Sequence, residues 1–300
     1  MILLWGLLDD TPMQMVFDEL KRMNVPFYFL NHRDLDELKV KINFIPKLKG
    51  TIEIYGEKIS VSDISTCYFR TYNFRDYEEY EALDTTDSHI QQMAAAEDIL
   101  WSWSEMTDAL VINRPSLMAS NHSKPYQCSI IGNFGFSIPE TLITTSPYEL
   151  KKFWKRHGQI IYKSISGIRS IVRKLSDEDY VRMKDVQFCP TQFQQFIAGT
   201  DYRVHVVGTR TFSCKIHSVA EDYRYSQTEM EIVTLPQAVE NNCIELSKHL
   251  GFHLSGIDLR CTSKGEWYCF EVNASPAFSY FELKTGLPIA NAVARLLKEG

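Results

Sequence analysis

The chain has 300 residues, of which 44% are hydrophobic and 23% are charged, and its formal net charge is -6 at pH 7. This length is too great for one small core and predicts two or three lobes that share a site, while the composition is ordinary for a globular protein. The negative charge argues against non-specific binding of nucleic acid.

The cysteines and the first residues of the chain give an expectation for the cellular location of the protein. Seven cysteines are scattered from Cys67 to Cys269 without a C-x-x-C pair. This pattern predicts reduced thiols in the cytoplasm, not a disulfide framework or a zinc site. The apolar start, Met1–Leu8, lacks a basic flank and is too short for a membrane span or a typical signal peptide. We therefore expect a cytoplasmic protein that has no membrane partner.

The first 112 residues predict a small α/β lobe. Their beginning has a β-α-β pattern, which indicates a parallel sheet. Gly6 stands alone, without G-x-G-x-x-G, so a dinucleotide fingerprint is absent and we expect a scaffold that borders the site. The predicted strands are Ile2–Leu8, Pro26–Leu30, Thr51–Tyr55 and Thr66–Thr71, and the predicted helices are Pro12–Met23 and Ser88–Thr107.

A second segment, residues 113–190, carries two lysines of interest. Lys124 lies in a helix predicted over Asn121–Phe134, and Lys163 ends a strand predicted over Gln159–Lys163. A half-buried lysine before a loop of small residues can hold phosphate oxygens as a point charge. The alternative is an ordinary solvated surface lysine.

The third segment, residues 191–300, predicts mostly strands followed by a closing helix. The strand Thr191–Ile197 carries the letters TQFQQFI, in which polar and apolar residues alternate. The other predicted elements are the hairpin Arg203–Val207 with Thr211–His217, the helix Pro236–Leu250, the strand Phe252–Leu259 and the helix Ile289–Lys298. The histidines of this segment are expected to be structural.

The most informative stretch, residues 256–276, predicts a β-hairpin. If Lys264-Gly265 is a two-residue loop, Asp258 lies directly opposite Glu271, and Asn273 shares a face with Glu271. Two carboxylates opposite each other repel, and a divalent cation would relieve the repulsion. Oxygen ligands of the types Asp, Glu and Asn suit Mg²⁺. The alternative is an exposed hairpin whose acidic groups are solvated.

Taken together and in order, these pieces resemble an ATP-grasp ligase. The resemblance implies a fold of class α/β (α+β) with three lobes that clasp ATP: an N-terminal lobe 1–112, a central lid lobe 113–190 and a C-terminal lobe 191–300 with the metal site. The pieces that carry it are Lys124, Lys163, the hinge Gln194-Gln195-Phe196-Ile197, GTDYRVHVVG, SGIDLR and FEVNASP.

The resemblance also implies a role for each matched residue. Arginines would stabilise anionic intermediates, lysines would contact ATP phosphates, the hinge would line adenine, and Asp201 would reach the ribose or fix Arg203. Phe196 and Ile197 would offer backbone groups to the adenine edge. The implied sets are Arg203, Arg224 and Arg169 for catalysis, Lys124, Lys163, Gln194, Gln195, Phe196, Ile197 and Asp201 for ATP, and Asp258, Glu271 and Asn273 for Mg²⁺.

Within the superfamily, two branches are similar to this chain: ribosomal-protein glutamate ligases, and the microviridin or graspetide type that crosslinks ribosomally made peptides. The segment CKIHSVAEDYRYSQ resembles the D-W-R region of the second branch, with Tyr223 in place of Trp, and favours it. The loop KSISGIRSIVRKL departs from the family because it has one glycine, Gly167, and Arg169 would compensate by its side chain.

The implied chemistry is acyl activation by ATP. A substrate carboxylate would form an acylphosphate, which an amine or hydroxyl would then attack to give an amide or ester, ADP and phosphate. The partner is a precursor peptide or a small carboxylate, and the resemblance suggests a homodimer. The alternatives are an amino-acid ligase that acts on a metabolite or a protein tail, a non-catalytic ATP-binding module, and a kinase.

Overall fold

The protein is described by a computed structural model that covers residues 1–73, 77, 86–118, 120, 123–163, 172–217 and 229–300. Across these residues, no helix combines the length and the apolar character that a bilayer span needs. All seven cysteines are free thiols.

The N-terminal lobe contains the predicted parallel sheet. Its strands have the order β2-β1-β6-β7, and β1 pairs in parallel with β2, which confirms the β-α-β start. A second sheet, β3-β4-β5, is antiparallel. The elements are β1 (Ile2–Gly6), α1 (Thr11–Arg22), β2 (Phe27–Asn31), β3 (Lys39–Asn43), β4 (Lys49–Ile54), β5 (Glu57–Ser60), β6 (Thr66–Arg70), α2 (Ser88–Met106) and β7 (Leu110–Ile112).

The central segment forms a four-stranded sheet that one helix covers. The sheet order is β10-β9-β11-β8, and its small core includes the side chains of Leu150, Phe153 and Phe193. The elements are α3 (Pro115–Met118), α4 (Lys124–Ile131), β8 (Thr141–Thr144), α5 (Pro147–His157), β9 (Ile160–Lys163), β10 (Arg173–Lys174) and β11 (Thr191–Gln195). Because β11 pairs with β8 and β9, the central lobe extends to Gln195 and does not end at the predicted limit of 190.

The C-terminal segment is built on a five-stranded antiparallel sheet with the order β14-β13-β12-β15-β16. One face packs against α6 through Val204, Val272 and Leu246, and the other face carries the polar side chains described below. The elements are β12 (Thr200–Val207), β13 (Arg210–His217), β14 (Glu229–Ile232), α6 (Gln237–His249), β15 (Leu254–Cys261), β16 (Trp267–Asn273), α7 (Ser279–Thr285) and α8 (Ile289–Glu299).

The first and last segments of the chain share one hydrophobic core. Leu4 of β1 and Val16 of α1 are fully buried together with Val293 of α8. The hydroxyl of Thr66 donates to the carbonyl oxygen of Leu297 at 2.9 Å. The N-terminal lobe is therefore held against the C-terminal lobe by apolar packing.

Candidate active site

The hairpin of β15 and β16 has the predicted carboxylate pair but not the predicted turn. Thr262 and Glu266 close a three-residue loop, in which Gly265 has a φ of 80°, so the turn is one residue longer than expected. A bulge between Asp258 and Leu259 then shifts the register by one residue. The two departures cancel, and Asp258 lies opposite Glu271.

Polar side chains form rows across three neighbouring strands of this sheet. In the first row, Arg203 of β12 pairs with Asp258 of β15, which pairs with Glu271 of β16. In the next row, Gly256 lies between His205 and Asn273. Since residues two apart on a strand share a face, both rows project from the same side of the sheet.

Arg203 forms the central ion pair of the site. Its Nη1 donates to Oδ1 of Asp258 at 2.7 Å, and its side chain is only 6% exposed, whereas that of Asp258 is 25% exposed. Gly256 provides the space for this guanidinium, because a Cβ at Gly256 would lie 2.1 Å from Nη2 of Arg203. The ring of Phe281, on α7, lies 5.3 Å from the guanidinium carbon. The arginine is thus fixed from three sides.

His205 lies beside Arg203 and is fully buried. Its Nε2 accepts a hydrogen bond from Nε of Arg203 at 3.4 Å, and its Nδ1 has no hydrogen-bond partner among the described residues. Burial lowers the pKa of His205 well below its usual value, and the positive charge of Arg203 lowers it further. The ring is therefore neutral in the folded protein.

The buried neutral state of His205 predicts a loss of stability in mild acid. Because the pKa of His205 is lowered in the folded state, the unfolded chain takes up a proton near pH 6.5 that the folded protein does not. The free energy of unfolding is expected to fall by about 1 kcal/mol between pH 7 and pH 5.5 from this residue alone. Urea unfolding of the wild type and of His205→Leu at each pH measures this contribution, and a parallel decline of both proteins would contradict it.

The three candidate metal ligands fit a magnesium ion chemically. Asp258, Glu271 and Asn273 offer hard oxygen donors from one face. No donor among the described residues hydrogen-bonds the Glu271 carboxylate, and no cluster of three or more His, Cys, Asp or Glu residues occurs in the same part of the chain. Two carboxylates and one amide are thus the available set, and Mg²⁺ bound this way keeps several waters.

The central sheet contributes a polar face that includes the second lysine. Nζ of Lys163 donates to Oε1 of Gln194 at 3.4 Å, and Nε2 of Gln194 donates to the hydroxyl of Thr141 at 3.0 Å. Gln192, directly opposite Lys163, is buried, and its side-chain oxygen has no hydrogen-bond partner in the described part of the chain. Lys163 therefore lies among polar groups and is not an isolated surface lysine.

Lys124 is the first residue of α4, which among the described residues begins three positions later than the predicted helix.

The thiol of Cys128, on the same helix, is affected by both lysines and by one candidate metal ligand. Burial raises the pKa of Cys128, the negative charge of Glu271 raises it further, and the charges of Lys163 and Lys124 lower it. The charges of Lys124, Lys163 and Glu271 all affect this one thiol, so the two lysines and Glu271 lie around Cys128.

The hinge between the central and C-terminal sheets is fixed by contacts that the sequence did not indicate. The backbone N–H of Phe196 donates to the carbonyl oxygen of Gln159 at 3.1 Å, and Nζ of Lys174 lies 4.3 Å from the Phe196 ring centroid. The side-chain oxygen of Gln195 accepts from the backbone N–H of Glu140 at 3.4 Å. The N–H of Phe196 is therefore engaged within the protein.

Arg260 organises the end of this hinge. Its Nε and Nη2 donate to the two carboxylate oxygens of Asp201 at 2.6 and 2.9 Å, and its Nη1 donates to the carbonyl oxygen of Ile197 at 2.8 Å. The ion pair of Asp201 is thus with Arg260, whereas the sequence suggested that Asp201 reaches the ribose or fixes Arg203. This bidentate geometry ties the hinge to the hairpin that carries the candidate metal ligands.

The N-terminal lobe reaches the same region through Arg70, which ends β6. Its Nη1 donates to the hydroxyl of Ser275 at 2.8 Å and to the carbonyl oxygen of Pro276 at 3.2 Å. Its Nε donates to Asp10 at 2.5 Å, and Asp10 also caps the start of α1. Arg70 therefore anchors the loop that follows Asn273.

Two predicted catalytic residues, Arg169 and Arg224, lie outside the described residues, as do the loop 164–170 and most of the segment that resembles the D-W-R region. The described part of the site brings Lys124, Lys163, Arg203, Asp258 and Glu271 together. Arg70, Gln127 and Gln192 were missed because no local motif marks them, and the partners of Arg70 and Gln127 are distant in sequence. Arg260 lies in the stretch SGIDLR, but its pairing with Asp201 was not predicted.

Three comparisons relate this geometry to known proteins. A probable alpha-L-glutamate ligase of Teredinibacter turnerae is 21% identical over 274 residues, which cover 84% of this chain and 90% of the relative. A RiPP-associated ATP-grasp ligase of Chryseobacterium gregarium, solved with ADP and a leader and core peptide, has a TM-score of 0.83 and 23% identity and covers 99% of this chain and 96% of its own.

The macrocyclase MdnC of Microcystis aeruginosa, bound with precursor peptide MdnA, has a TM-score of 0.83 and 20% identity, with 100% of both chains covered. Residues 124–297 match the RimK-like ATP-grasp domain, which is more than half of the chain. The matched range begins at Lys124 and includes both lysines, the hinge and the hairpin. The chain therefore belongs to the RimK-like ATP-grasp family and is a ligase that uses ATP and Mg²⁺.

Proposed function

We propose that this ligase modifies a ribosomally made peptide. A carboxylate of the peptide attacks the γ-phosphate of ATP, which releases ADP and leaves an acylphosphate. A hydroxyl or amine of the same peptide then attacks the acyl carbon and displaces phosphate, so that an ester or amide crosslink forms with the overall loss of one water. The leaving phosphate lowers the barrier of the second step, so no separate nucleophile of the protein is needed.

Each site residue has a part in this proposal. Lys124 and Lys163 bind phosphate oxygens as point charges, since a lysine ammonium contacts phosphate without fixed geometry. Gln194, Gln195, Phe196 and Ile197 line the base, and Asp201 fixes the hinge through Arg260. Arg203, Arg169 and Arg224 supply positive charge toward the anionic intermediate, and Arg203 also holds Asp258 in place.

Asp258, Glu271 and Asn273 would hold Mg²⁺, whose charge, when it is bound, offsets the negative charge of the phosphate oxygens. The single observation that carries the proposal is the row of Arg203, Asp258 and Glu271 across three neighbouring strands, with Asn273 on the same face. The charges of Lys124 and Lys163, which affect the Cys128 thiol together with that of Glu271, support it. Such a grouping of cations and oxygen ligands fits a nucleoside triphosphate with its metal.

The peptide substrate is supported by the similarity in fold. The two peptide-bound ligases match nearly the whole of this chain, including the N-terminal lobe outside the matched domain. The second candidate is addition of glutamate to a protein tail or a metabolite, which the name of the Teredinibacter relative favours. We place the protein in the cytoplasm as a homodimer without nucleic-acid or membrane partners, and its seven free thiols suit a reducing compartment.

Mass spectrometry separates the two candidates. The protein is incubated with ATP, Mg²⁺ and peptides rich in Thr, Ser or Lys together with Asp and Glu, chosen first from reading frames beside its gene. We expect the peptide to lose one water for each ADP released. A gain of one glutamate residue in the presence of free glutamate would favour the second candidate, and ADP release without either product would contradict both. Glu271→Gln is the inactive control.

A further inference from the structure

Gln127 connects the helix of the first lysine to the strand of the metal ligands. Its Nε2 donates to the carbonyl oxygen of Val272 at 2.8 Å, and its Oε1 accepts from the N–H of Val272 at 2.9 Å. The side chain is buried, although glutamine is usually exposed. One amide thus satisfies both backbone groups of a single residue, as a neighbouring strand would.

The position of Val272 gives this contact its importance. Val272 lies between Glu271 and Asn273 on β16, which is the edge strand of the sheet. Its side chain is fully buried in the core, so the side chains of its two neighbours project from the opposite face. Any shift of the Val272 backbone would therefore move both candidate ligands.

The helix side of the contact is equally close to the site. Gln127 lies one turn after Lys124 on α4 and next to Cys128, on whose thiol Lys124, Lys163 and Glu271 all act. The loop that follows β16 has separate anchors, since Nδ2 of Asn113 donates to the carbonyl oxygen of Ala274 at 2.6 Å. Of these described contacts to β16 and the loop after it, only that of Gln127 comes from α4, the helix that begins with Lys124.

We propose that Gln127 is a positioning residue that sets the distance between Lys124 and the pair of Glu271 and Asn273. Both polar groups of its amide are engaged by the Val272 backbone, so it acts through the position of that strand. By holding the edge of β16 to α4, it keeps the metal ligands and the lysine at the separation that one magnesium-bound triphosphate spans. This inference rests on the roles proposed above for these three residues.

The test compares two variants of the full chain. Gln127→Met keeps the length of the side chain but removes both hydrogen bonds. Val239→Ala, on α6, weakens the same core by creating a small cavity without touching the site. The magnesium concentration that half-saturates binding of ADP or a non-hydrolysable ATP analogue is measured by calorimetry, and amide exchange of the β16 peptide is measured without nucleotide.

We expect Gln127→Met to raise the half-saturating magnesium concentration about 10- to 100-fold, the usual effect of losing a group that orients metal ligands. We also expect faster amide exchange in β16, and recovery of nucleotide binding at high magnesium. Val239→Ala should lower the unfolding temperature and leave the half-saturating concentration within about twofold of the wild type. Equal shifts in the two variants, or none in Gln127→Met, would overturn the inference.

Failure of the inference can be told apart from failure of the proposed function. If Glu271→Gln reduces the magnesium dependence and Gln127→Met does not, the site is correct and only the positioning role is wrong. If nucleotide binding to the wild type and to Glu271→Gln responds equally to magnesium, the proposed ligand roles are wrong, and the inference falls with them.

Discussion

Asp258→Asn is expected to lower turnover about 10²- to 10³-fold while the protein remains folded, the range found when one charge-stabilising group is removed from an active site. The aspartate lies between Arg203 and Glu271 in one row of the sheet. Asparagine keeps an oxygen that can accept from Arg203, so packing is retained, but it removes one of the two negative charges that attract Mg²⁺. ADP release at saturating ATP, followed over a magnesium titration, measures both consequences.

The matched control is Glu266→Gln, which removes one carboxylate from the exposed turn of the same hairpin. Its turnover and magnesium dependence should equal those of the wild type, because an exposed charge is well solvated. Turnover in Asp258→Asn within a few-fold of the control would mean that the carboxylate pair does not serve the reaction.

Arg203→Met is expected to destabilise the protein as well as to inactivate it. Removing one partner of a buried ion pair costs about 3–5 kcal/mol because the other charge stays in the interior. Since the Asp258 side chain remains a quarter exposed, the loss should lie near the lower end of that range. Urea unfolding, with the slope checked against the wild type, gives the change in the free energy of unfolding.

The second substitution Asp258→Asn, added to Arg203→Met, tests this explanation. It removes the carboxylate charge that Arg203 pairs with, so part of the lost stability should return while turnover stays absent. If the double variant is less stable than Arg203→Met by the full cost of Asp258→Asn alone, the two residues are not coupled in the folded protein. The ion pair would then play no part in stability.

The sequence was sufficient for features that depend on local pattern. The parallel sheet of the N-terminal lobe was predicted from the β-α-β order of its first elements. The parallel pairing of β1 with β2 confirms it. The facing of Asp258 and Glu271 was also predicted correctly, although by two errors that cancel. A three-residue turn and a bulge each shift the register by one position, and neither is marked by a proline or a second glycine.

Features that depend on distant partners could not be predicted. Gln127 and Val272 are 145 positions apart, and a glutamine in a helix has the pattern of a surface residue. Arg260 binds both carboxylate oxygens of Asp201, a pairing that the sequence did not indicate. Both Arg203 and Arg260 lie on the same face of the sheet as Asp201. Only the strand register, which places Arg260 directly opposite Asp201, shows which arginine forms the ion pair.

The core that the beginning and end of the chain share also affects how the protein is made. Leu4 and Val16 emerge from the ribosome long before Val293, the residue of α8 that covers them. During most of synthesis the first sheet therefore has an unsatisfied apolar side, and its folding cannot be completed. The docking of α8 is therefore the step that completes this core, and it has to wait until nearly the whole chain has been made.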